Sequence, residues 1–134
     1  MAVGRATKRR RGLTTVAGRL AGKVVIVTGG GAGVGRGVAT RCASEGAAVV
    51  VAEVDSTLGA DTARIIAEHG GRAIFAHTDV TNEDSAATCV ATAETTFGPV
   101  TGLVNVAGIY PRATLDDTSV ALWDRIMAVN LKGP

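Results

Sequence analysis

The sequence predicts an α/β protein with a doubly wound parallel sheet of about four strands and four helices. Two observations support this fold class. From residue 23 onward, short apolar runs alternate with longer amphipathic stretches, and a glycine-rich loop joins the first run to the first stretch. Continuous apolarity is typical of strands that are buried on both faces of a parallel sheet. Right-handed crossovers between such strands place helices on both faces.

Four apolar runs are the predicted strands. The first covers residues 24–27 and is β-branched throughout, and similar runs follow at 49–51, 73–76 and 103–106. β-branched side chains favour strands because they pack well on a pleated surface. We expect all four strands to be buried on both faces.

The stretches between the runs have the periodicity of amphipathic helices. In the first, Val34, Val38 and Cys42 recur at four-residue spacing with Ala39 and Ala43 beside them, and these five residues predict the buried face. The predicted buried residues of the later helices are Leu58, Thr62, Ile65 and Ile66, then Ala86, Cys89, Val90, Ala93 and Phe97, then Leu122, Trp123, Ile126 and Met127. Thr118 is the predicted N-cap of the last helix.

Charge divides the chain into two segments. Residues 1–20 hold six basic and no acidic residues, whereas residues 21–134 hold all 12 acidic residues against eight basic ones. We therefore predict a basic, disordered tail over residues 1–20 and a folded domain over residues 21–134. An acidic domain with few aromatic residues argues against nucleic-acid binding. No apolar run approaches the roughly 20 residues that span a membrane, so a membrane is not an expected partner either.

The two cysteines carry no metal-binding pattern. Cys42 and Cys89 are far apart, and neither has another ligand-type residue at short spacing. We expect two buried thiols in the reducing cytoplasm and no metal site.

The glycine-rich loop predicts a diphosphate site. Residues 28–35 read Thr-Gly-Gly-Gly-Ala-Gly-Val-Gly, in which threonine and three glycines match T-G-x-x-x-G-x-G. The amides at a helix N-terminus attract anions, and glycines let the backbone approach the phosphates. A β-branched residue at Gly33 or Gly35 is expected to occupy the diphosphate space. No Gly-Lys-Ser/Thr follows, which excludes a P-loop.

The spacing of this loop resembles the signature of the short-chain dehydrogenase/reductase family. Four further segments resemble other marks of that family: Glu53 after the second strand, Asp79-Val80 after the third, Asn105-Val106-Ala107-Gly108 at the fourth, and Asn130-Leu131-Lys132-Gly133 in the last helix. The resemblance covers about residues 20–134. Val106 stands where the family has a second asparagine, and Glu53 where aspartate is commoner.

The resemblance implies the N-terminal half of a Rossmann-type domain that binds a nicotinamide dinucleotide. The residues that it assigns to the cofactor are Thr28, Gly29, Ala32, Gly33, Val34, Gly35, Glu53, Asp79, Val80, Asn105, Ala107 and Gly108. Glu53 would bind the adenosine ribose hydroxyls and repel the 2′-phosphate of NADP, so NAD is the expected cofactor. Ala32 and Val54, where NADP-selective relatives usually carry a base, are uncharged.

The implied activity is hydride transfer between the nicotinamide and a carbonyl or secondary-alcohol substrate. The family performs it with a serine, a tyrosine and a lysine four residues after the tyrosine. Asn130 would belong to the catalytic machinery by supporting that lysine through water. Tyr110 is followed by Thr114 at the lysine position, so it does not match. We therefore expect an inactive fragment of a longer, homo-oligomeric enzyme.

Two other functions fit part of the pattern. A non-catalytic dinucleotide-binding module would need the glycine loop and Glu53 but no tyrosine or lysine. An S-adenosylmethionine-dependent methyltransferase also uses a glycine loop and an acidic residue after the second strand. It would leave Thr28 and the segments 105–108 and 130–133 unexplained.

Overall fold

The computed structural model of the chain describes residues 18–134 and confirms the doubly wound α/β fold. Strands and helices alternate along the chain: β1 (Val24–Thr28), α1 (Gly33–Ser44), β2 (Ala48–Glu53), α2 (Ser56–Glu68), β3 (Arg72–His77), α3 (Glu83–Phe97), β4 (Gly102–Asn105) and α4 (Val120–Met127). A π-helical segment, Ala128–Lys132, continues α4. The four strands are parallel in the order β3-β2-β1-β4.

The two central strands are buried on both faces, as predicted. Every residue of β1 is buried, and β2 is buried up to its last residue, Glu53. The prediction of burial on both faces is wrong for the two edge strands, β3 and β4, which contain both exposed and partly buried residues. Leu103 of β4 is 57% exposed, and β4 is an edge strand of this sheet.

Successive residues of the central strands point to opposite faces and build two cores. Val25, Val27, Val49 and Val51 pack with α1 and α2 on one face. Ile26, Val50 and Ala52 pack on the other face with two residues of α3, Cys89 and Ala93. Helices on both faces explain why the central strands show no polar alternation.

Small residues form the contact face of α1. Its buried residues are Gly35, Ala39 and Ala43, whereas Val34 is 74% exposed. The predicted face is confirmed for Ala39 and Ala43, with Val38 and Cys42 partly buried beside them, and is wrong for Val34, which the helix leaves exposed beside the glycine loop. Leu58 of α2 is also more exposed than predicted, at 39%.

Side chains cap three of the four helices. Asp55, Asn82 and Ser119 accept hydrogen bonds from backbone amides at the starts of α2, α3 and α4. The prediction of Thr118 as the last N-cap is wrong by one residue. The Thr118 hydroxyl instead donates to the carbonyl of Thr114 at 2.8 Å, and Ser119 Oγ accepts from Leu122 N at 3.1 Å.

Residues 18–20 lie against the end of α1, although the charge pattern assigned them to the tail. Leu20 N donates to the Glu45 carbonyl at 2.9 Å, and the Arg19 guanidinium lies 3.2 Å from Glu45 Oε1. Hydrogen bonds from the Arg19 backbone and side chain lower the pKa of Glu45. The basic run at residues 8–11 lies outside the described residues. Within residues 18–134, no helix combines the length and apolarity needed to cross a membrane.

Candidate functional site

The N-terminus of α1 is the one helix start in the described chain without a side-chain cap. Ala32 occupies the N-cap position in extended conformation, and the first turn holds no acidic residue. The first hydrogen bond of the helix runs from Arg36 N to Ala32 O at 3.0 Å. The amides of Gly33, Val34 and Gly35 therefore have no acceptor within the helix, and together with the helix dipole they form a site for an anion.

Two glycines of the loop are required by close backbone approach. A Cβ on Gly29, whose φ is +64°, would lie 2.8 Å from the Ala107 backbone. A Cβ on Gly35 would lie 1.9 Å from the Gly29 carbonyl oxygen. The expectation that a larger residue at Gly35 would fill diphosphate space therefore needs correction, because that side chain would collide with the loop itself.

Gly33 differs from these two glycines. Its φ is +49°, and a Cβ there would meet no atom within 4 Å. Gly33 also lines the cleft described below. A side chain at this position would therefore project into open space where the expected diphosphate would lie.

Thr28 supports the loop from below and does not line the cleft. Its Oγ1 accepts from Val106 N at 3.1 Å and from Ala107 N at 3.2 Å. These bonds tie the end of β1 to the end of β4. Asn105, the last residue of β4, does not line the cleft either. Both residues were predicted to bind the cofactor, and neither reaches the cleft in this arrangement.

Glu53, the last residue of β2, points its carboxylate toward the glycine loop. Oε2 accepts from Gly31 N at 3.0 Å. Oε1 accepts from Val54 N at 2.9 Å and from Asp55 N at 3.2 Å. Three backbone amides thus orient the Glu53 side chain at the edge of the cleft.

Asp79 forms a tight turn between β3 and α3. Its Oδ1 accepts from the Thr81 hydroxyl at 2.7 Å and from Thr81 N at 2.9 Å. These two hydrogen bonds lower the pKa of the Asp79 carboxyl. Asp79 N in turn donates to Ser85 Oγ at 3.0 Å. The turn fixes the position of Val80, which lines the cleft beside Asp79.

Asn130 binds the backbone beyond β4 with both ends of its side-chain amide. Oδ1 accepts from Ile109 N, and Nδ2 donates to Ile109 O, each at 2.9 Å. Asn130 lies in the π-helical segment, a type of distortion that is frequent at functional sites. The side chain does not line the cleft, but the neighbouring residues Ala128 and Val129 do.

These segments surround a cleft of about 720 Å³ at the carboxyl ends of the strands. It lies where the chain reverses its direction of strand addition between β1 and β4, which is the usual ligand position in such sheets. Ten of the predicted cofactor residues line it: Gly29, Ala32, Gly33, Val34, Gly35, Glu53, Asp79, Val80, Ala107 and Gly108.

Sequence reasoning missed nine lining residues as site residues. They are Val54, Leu58, Thr78, Thr81, Val106, Ile109, Arg125, Ala128 and Val129. Most of them adjoin a predicted segment in the sequence, and this adjacency could have identified them as lining residues. Arg125 precedes the 130–133 segment on the same predicted helix, and it reaches the cleft through the placement of α4.

The donor set of the cleft suits a nucleotide with a diphosphate. The uncapped end of α1 offers amides to an anion, Gly33 leaves space above them, and Glu53 offers an acceptor on the β2 side. The volume lies in the range of small-molecule sites. Among residues 18–134, no group of three His, Cys, Asp or Glu side chains is arranged to hold a metal ion.

Comparison with known proteins gives the same picture. The chain is 40% identical over 115 residues to 2-(S)-hydroxypropyl-CoM dehydrogenase 3 of Xanthobacter autotrophicus, which covers 86% of this chain and 45% of that protein. It is 40% identical over 115 residues to cyclopentanol dehydrogenase of Comamonas testosteroni, covering 86% and 46%. The chain thus spans a little under half the length of these relatives.

A solved structure has the same fold, and a family model matches most of the chain. The crystal structure of a short chain dehydrogenase from Mycobacterium avium superposes with a TM-score of 0.81 at 38% identity, covering 87% of this chain and 43% of that one. The model of the short chain dehydrogenase family matches residues 23–134. The chain therefore belongs to the short-chain dehydrogenase family.

Proposed function

We propose that this chain is the cofactor-binding part of an NAD-dependent oxidoreductase. The observation that carries the proposal is the pairing of an uncapped helix N-terminus with a backbone-held carboxylate across one cleft. An anion-binding helix end suits the diphosphate of a dinucleotide. A carboxylate at the end of β2 suits the hydroxyls of its adenosine ribose.

Each predicted segment has a place in this proposal. The amides of Gly33, Val34 and Gly35 would hold the diphosphate, and Glu53 would accept from the ribose hydroxyls. The turn at Asp79 and Val80 would flank the adenine. The loop at Ala107 and Gly108 would contact the inner part of the dinucleotide, whose nicotinamide accepts or donates hydride when bound. Thr28 and Asn105 would act indirectly, from the ends of β1 and β4.

Preference for NAD over NADP follows from the charges near the cleft. The Glu53 carboxylate would face the 2′-phosphate of NADP as a like charge, which can cost several kcal/mol in a partly desolvated site. The nearest cation on the loop side, Arg36, is bound to Asp61 at 3.2 Å and to the Gly31 carbonyl at 2.9 Å. It is therefore held toward α2 and not free to bind a phosphate in the cleft.

For the substrate, we propose the class of carbonyls and secondary alcohols. The names of the two relatives above denote enzymes that act on hydroxyl-bearing compounds. Asn130 would serve the family's lysine, which the 134 residues do not contain in a Tyr-x-x-x-Lys arrangement. We therefore expect this chain by itself to bind the dinucleotide without turning over an alcohol. Homo-oligomer formation and a cytoplasmic location stay predictions.

Calorimetric titration with NAD and NADP tests the proposal. We expect the wild-type chain to bind NAD about tenfold more tightly than NADP or better, since about 1.4 kcal/mol gives that ratio. Glu53→Ala should remove most of this preference. Glu94→Ala, on the exposed face of α3, is the matched control and should leave it unchanged.

Three results would count against this function. Equal affinity for both dinucleotides, or an unaltered ratio in Glu53→Ala, would remove Glu53 from its role. Binding of S-adenosylmethionine in place of both dinucleotides would favour a methyltransferase.

A further inference from the structure

Gly31 lies behind the cleft, and hydrogen bonds hold the peptide units on both sides of its Cα. Its N–H donates to Glu53 Oε2 at 3.0 Å. Its carbonyl accepts from Arg36 Nε at 2.9 Å and from the Thr62 hydroxyl at 3.1 Å. The N–H belongs to the Gly30–Gly31 peptide and the carbonyl to the Gly31–Ala32 peptide, so these bonds together restrain the two backbone torsion angles of Gly31, which a glycine would otherwise change easily.

Thr62 is an unusual helical threonine. It is fully buried, at 0% exposure, and its Oγ1 also accepts from Arg36 Nε at 2.9 Å. Four threonines of α3 instead donate to the carbonyl four residues earlier, each at 2.8 Å. Thr62 reaches out of its own helix to a loop 31 residues away, which places a polar group in an otherwise apolar contact face.

The Glu53 side chain packs directly on Gly31. A Cβ at residue 31 would lie 2.7 Å from Glu53 Cγ and 2.8 Å from Oε2. A change in the backbone torsion angles of Gly31 would therefore move this donor relative to the carboxylate and change the surface on which the carboxylate rests. The orientation of Glu53 depends on Gly31, and that of Gly31 depends on Thr62 and Arg36.

We infer that Thr62 is a positioning residue for the dinucleotide, acting on the Glu53 carboxylate through the backbone conformation of Gly31. This inference rests on the proposed function and adds a specificity determinant on α2, outside the cleft. Asp61 assists by binding the other end of the Arg36 guanidinium at 3.2 Å. Cofactor selectivity is then set by a relay from α2 through the loop to the end of β2.

Thr62→Val tests the inference because valine keeps the shape of threonine and removes the hydroxyl. We expect NAD affinity, measured by calorimetry, to fall about threefold to tenfold, the usual worth of one hydrogen bond. The NAD to NADP ratio should fall with it. Thr62→Ser should restore both values, because serine retains the hydroxyl. Thr88→Val on α3 is the matched control and should change neither.

A double-mutant cycle separates positioning from general structural support. In the Glu53→Ala background, Thr62→Val should change NAD affinity less than about twofold, because its effect passes through the missing carboxylate. If Thr62→Val fails to fold, Arg36→Leu removes the other donor to the Gly31 carbonyl and is expected to follow the same pattern.

The outcomes distinguish the two proposals. A wild-type chain that binds neither dinucleotide would overturn the proposed function, and this inference with it. A wild-type chain that prefers NAD, combined with unchanged affinity in Thr62→Val or an equal loss in both backgrounds, would overturn the role of Thr62 alone.

Discussion

At the scale of single residues, the three family glycines of the loop have separate tasks. Gly29 and Gly35 allow backbone segments to touch, whereas Gly33 leaves the space in front of the helix open. The sequence pattern shows the same residue at all three positions and cannot separate these tasks. The distinction depends on the direction in which each missing Cβ would point.

This distinction predicts different outcomes for alanine at Gly33 and Gly35. Gly33→Ala should keep the fold, at a cost of about 1–2 kcal/mol for the left-handed conformation. It should weaken NAD binding about tenfold or more, because the methyl group enters the expected diphosphate space. Gly35→Ala should lower the melting temperature strongly, since its methyl group would collide with the Gly29 carbonyl. Thermal melts and calorimetry check both variants.

One result would contradict the proposed role of Gly33 in leaving space for the diphosphate. If Gly33→Ala binds NAD as tightly as the wild type, the diphosphate does not lie in front of this residue. Gly37→Ala is a suitable control, because a Cβ there also meets no atom within 4 Å and Gly37 does not line the cleft.

At the scale of elements, helix capping separates structure from function. Three helices begin with a residue whose side chain accepts hydrogen bonds from the amides of the first turn, and α1 does not. A helix start without a cap costs about 1 kcal/mol relative to a capped one. The deficit at α1 coincides with the cleft, which is consistent with a site where a ligand supplies the missing acceptor.

Ala32→Asp tests whether the missing cap of α1 lowers stability while leaving the helix amides free to bind a ligand. The extended backbone at residue 32 suits an N-cap, so aspartate should raise the free energy of unfolding by about 1 kcal/mol. Its carboxylate should also compete with the diphosphate for the helix amides and repel it, so NAD affinity should fall. Urea unfolding and calorimetry measure the two effects. A variant that gains stability and binds NAD as before would show that the amides are not used.

Most elements could be predicted from sequence, and the errors have physical causes. Apolar runs and amphipathic stretches identified the four strands and the four α-helices, but not the π-helical segment Ala128–Lys132. Helix faces were less predictable at their ends, because in α1 the buried residue of the first turn is Gly35, which carries no hydrophobic signal, and the apolar Val34 is exposed. The N-cap of α4 was displaced because Thr118 and Ser119 are chemically equivalent candidates in sequence.

The candidate site was predictable where a motif ends a strand. Ten of twelve cofactor assignments line the cleft, since parallel strands bring their carboxyl ends to one edge of the sheet. Thr28 and Asn105 belong to the same motifs, and sequence does not show that they lie outside the cleft. The contact of Thr62 with Gly31 was also not predictable, because it joins residues from two helix-loop units that only the tertiary packing brings together.

At the scale of the whole molecule, residues 18–134 form a sheet with a core on each face and the candidate cleft at the carboxyl ends of its strands. Its four strands position the loop, the carboxylate and the Asp79 turn around one cleft. The chain covers 45% of the Xanthobacter autotrophicus relative and 46% of the Comamonas testosteroni relative. We propose that a dinucleotide binds at that cleft.

An NMR titration of the isotopically labelled chain with NAD tests this claim most directly. We expect amide shifts to concentrate at Gly33, Val34 and Gly35, with further shifts at Gly31 and Val54, whose amides hold Glu53. AMP should reproduce the shifts around Glu53, because it carries the same adenosine ribose. Saturating NAD that leaves the amides of residues 31–35 unshifted, or that shifts amides remote from the cleft alone, would contradict the account.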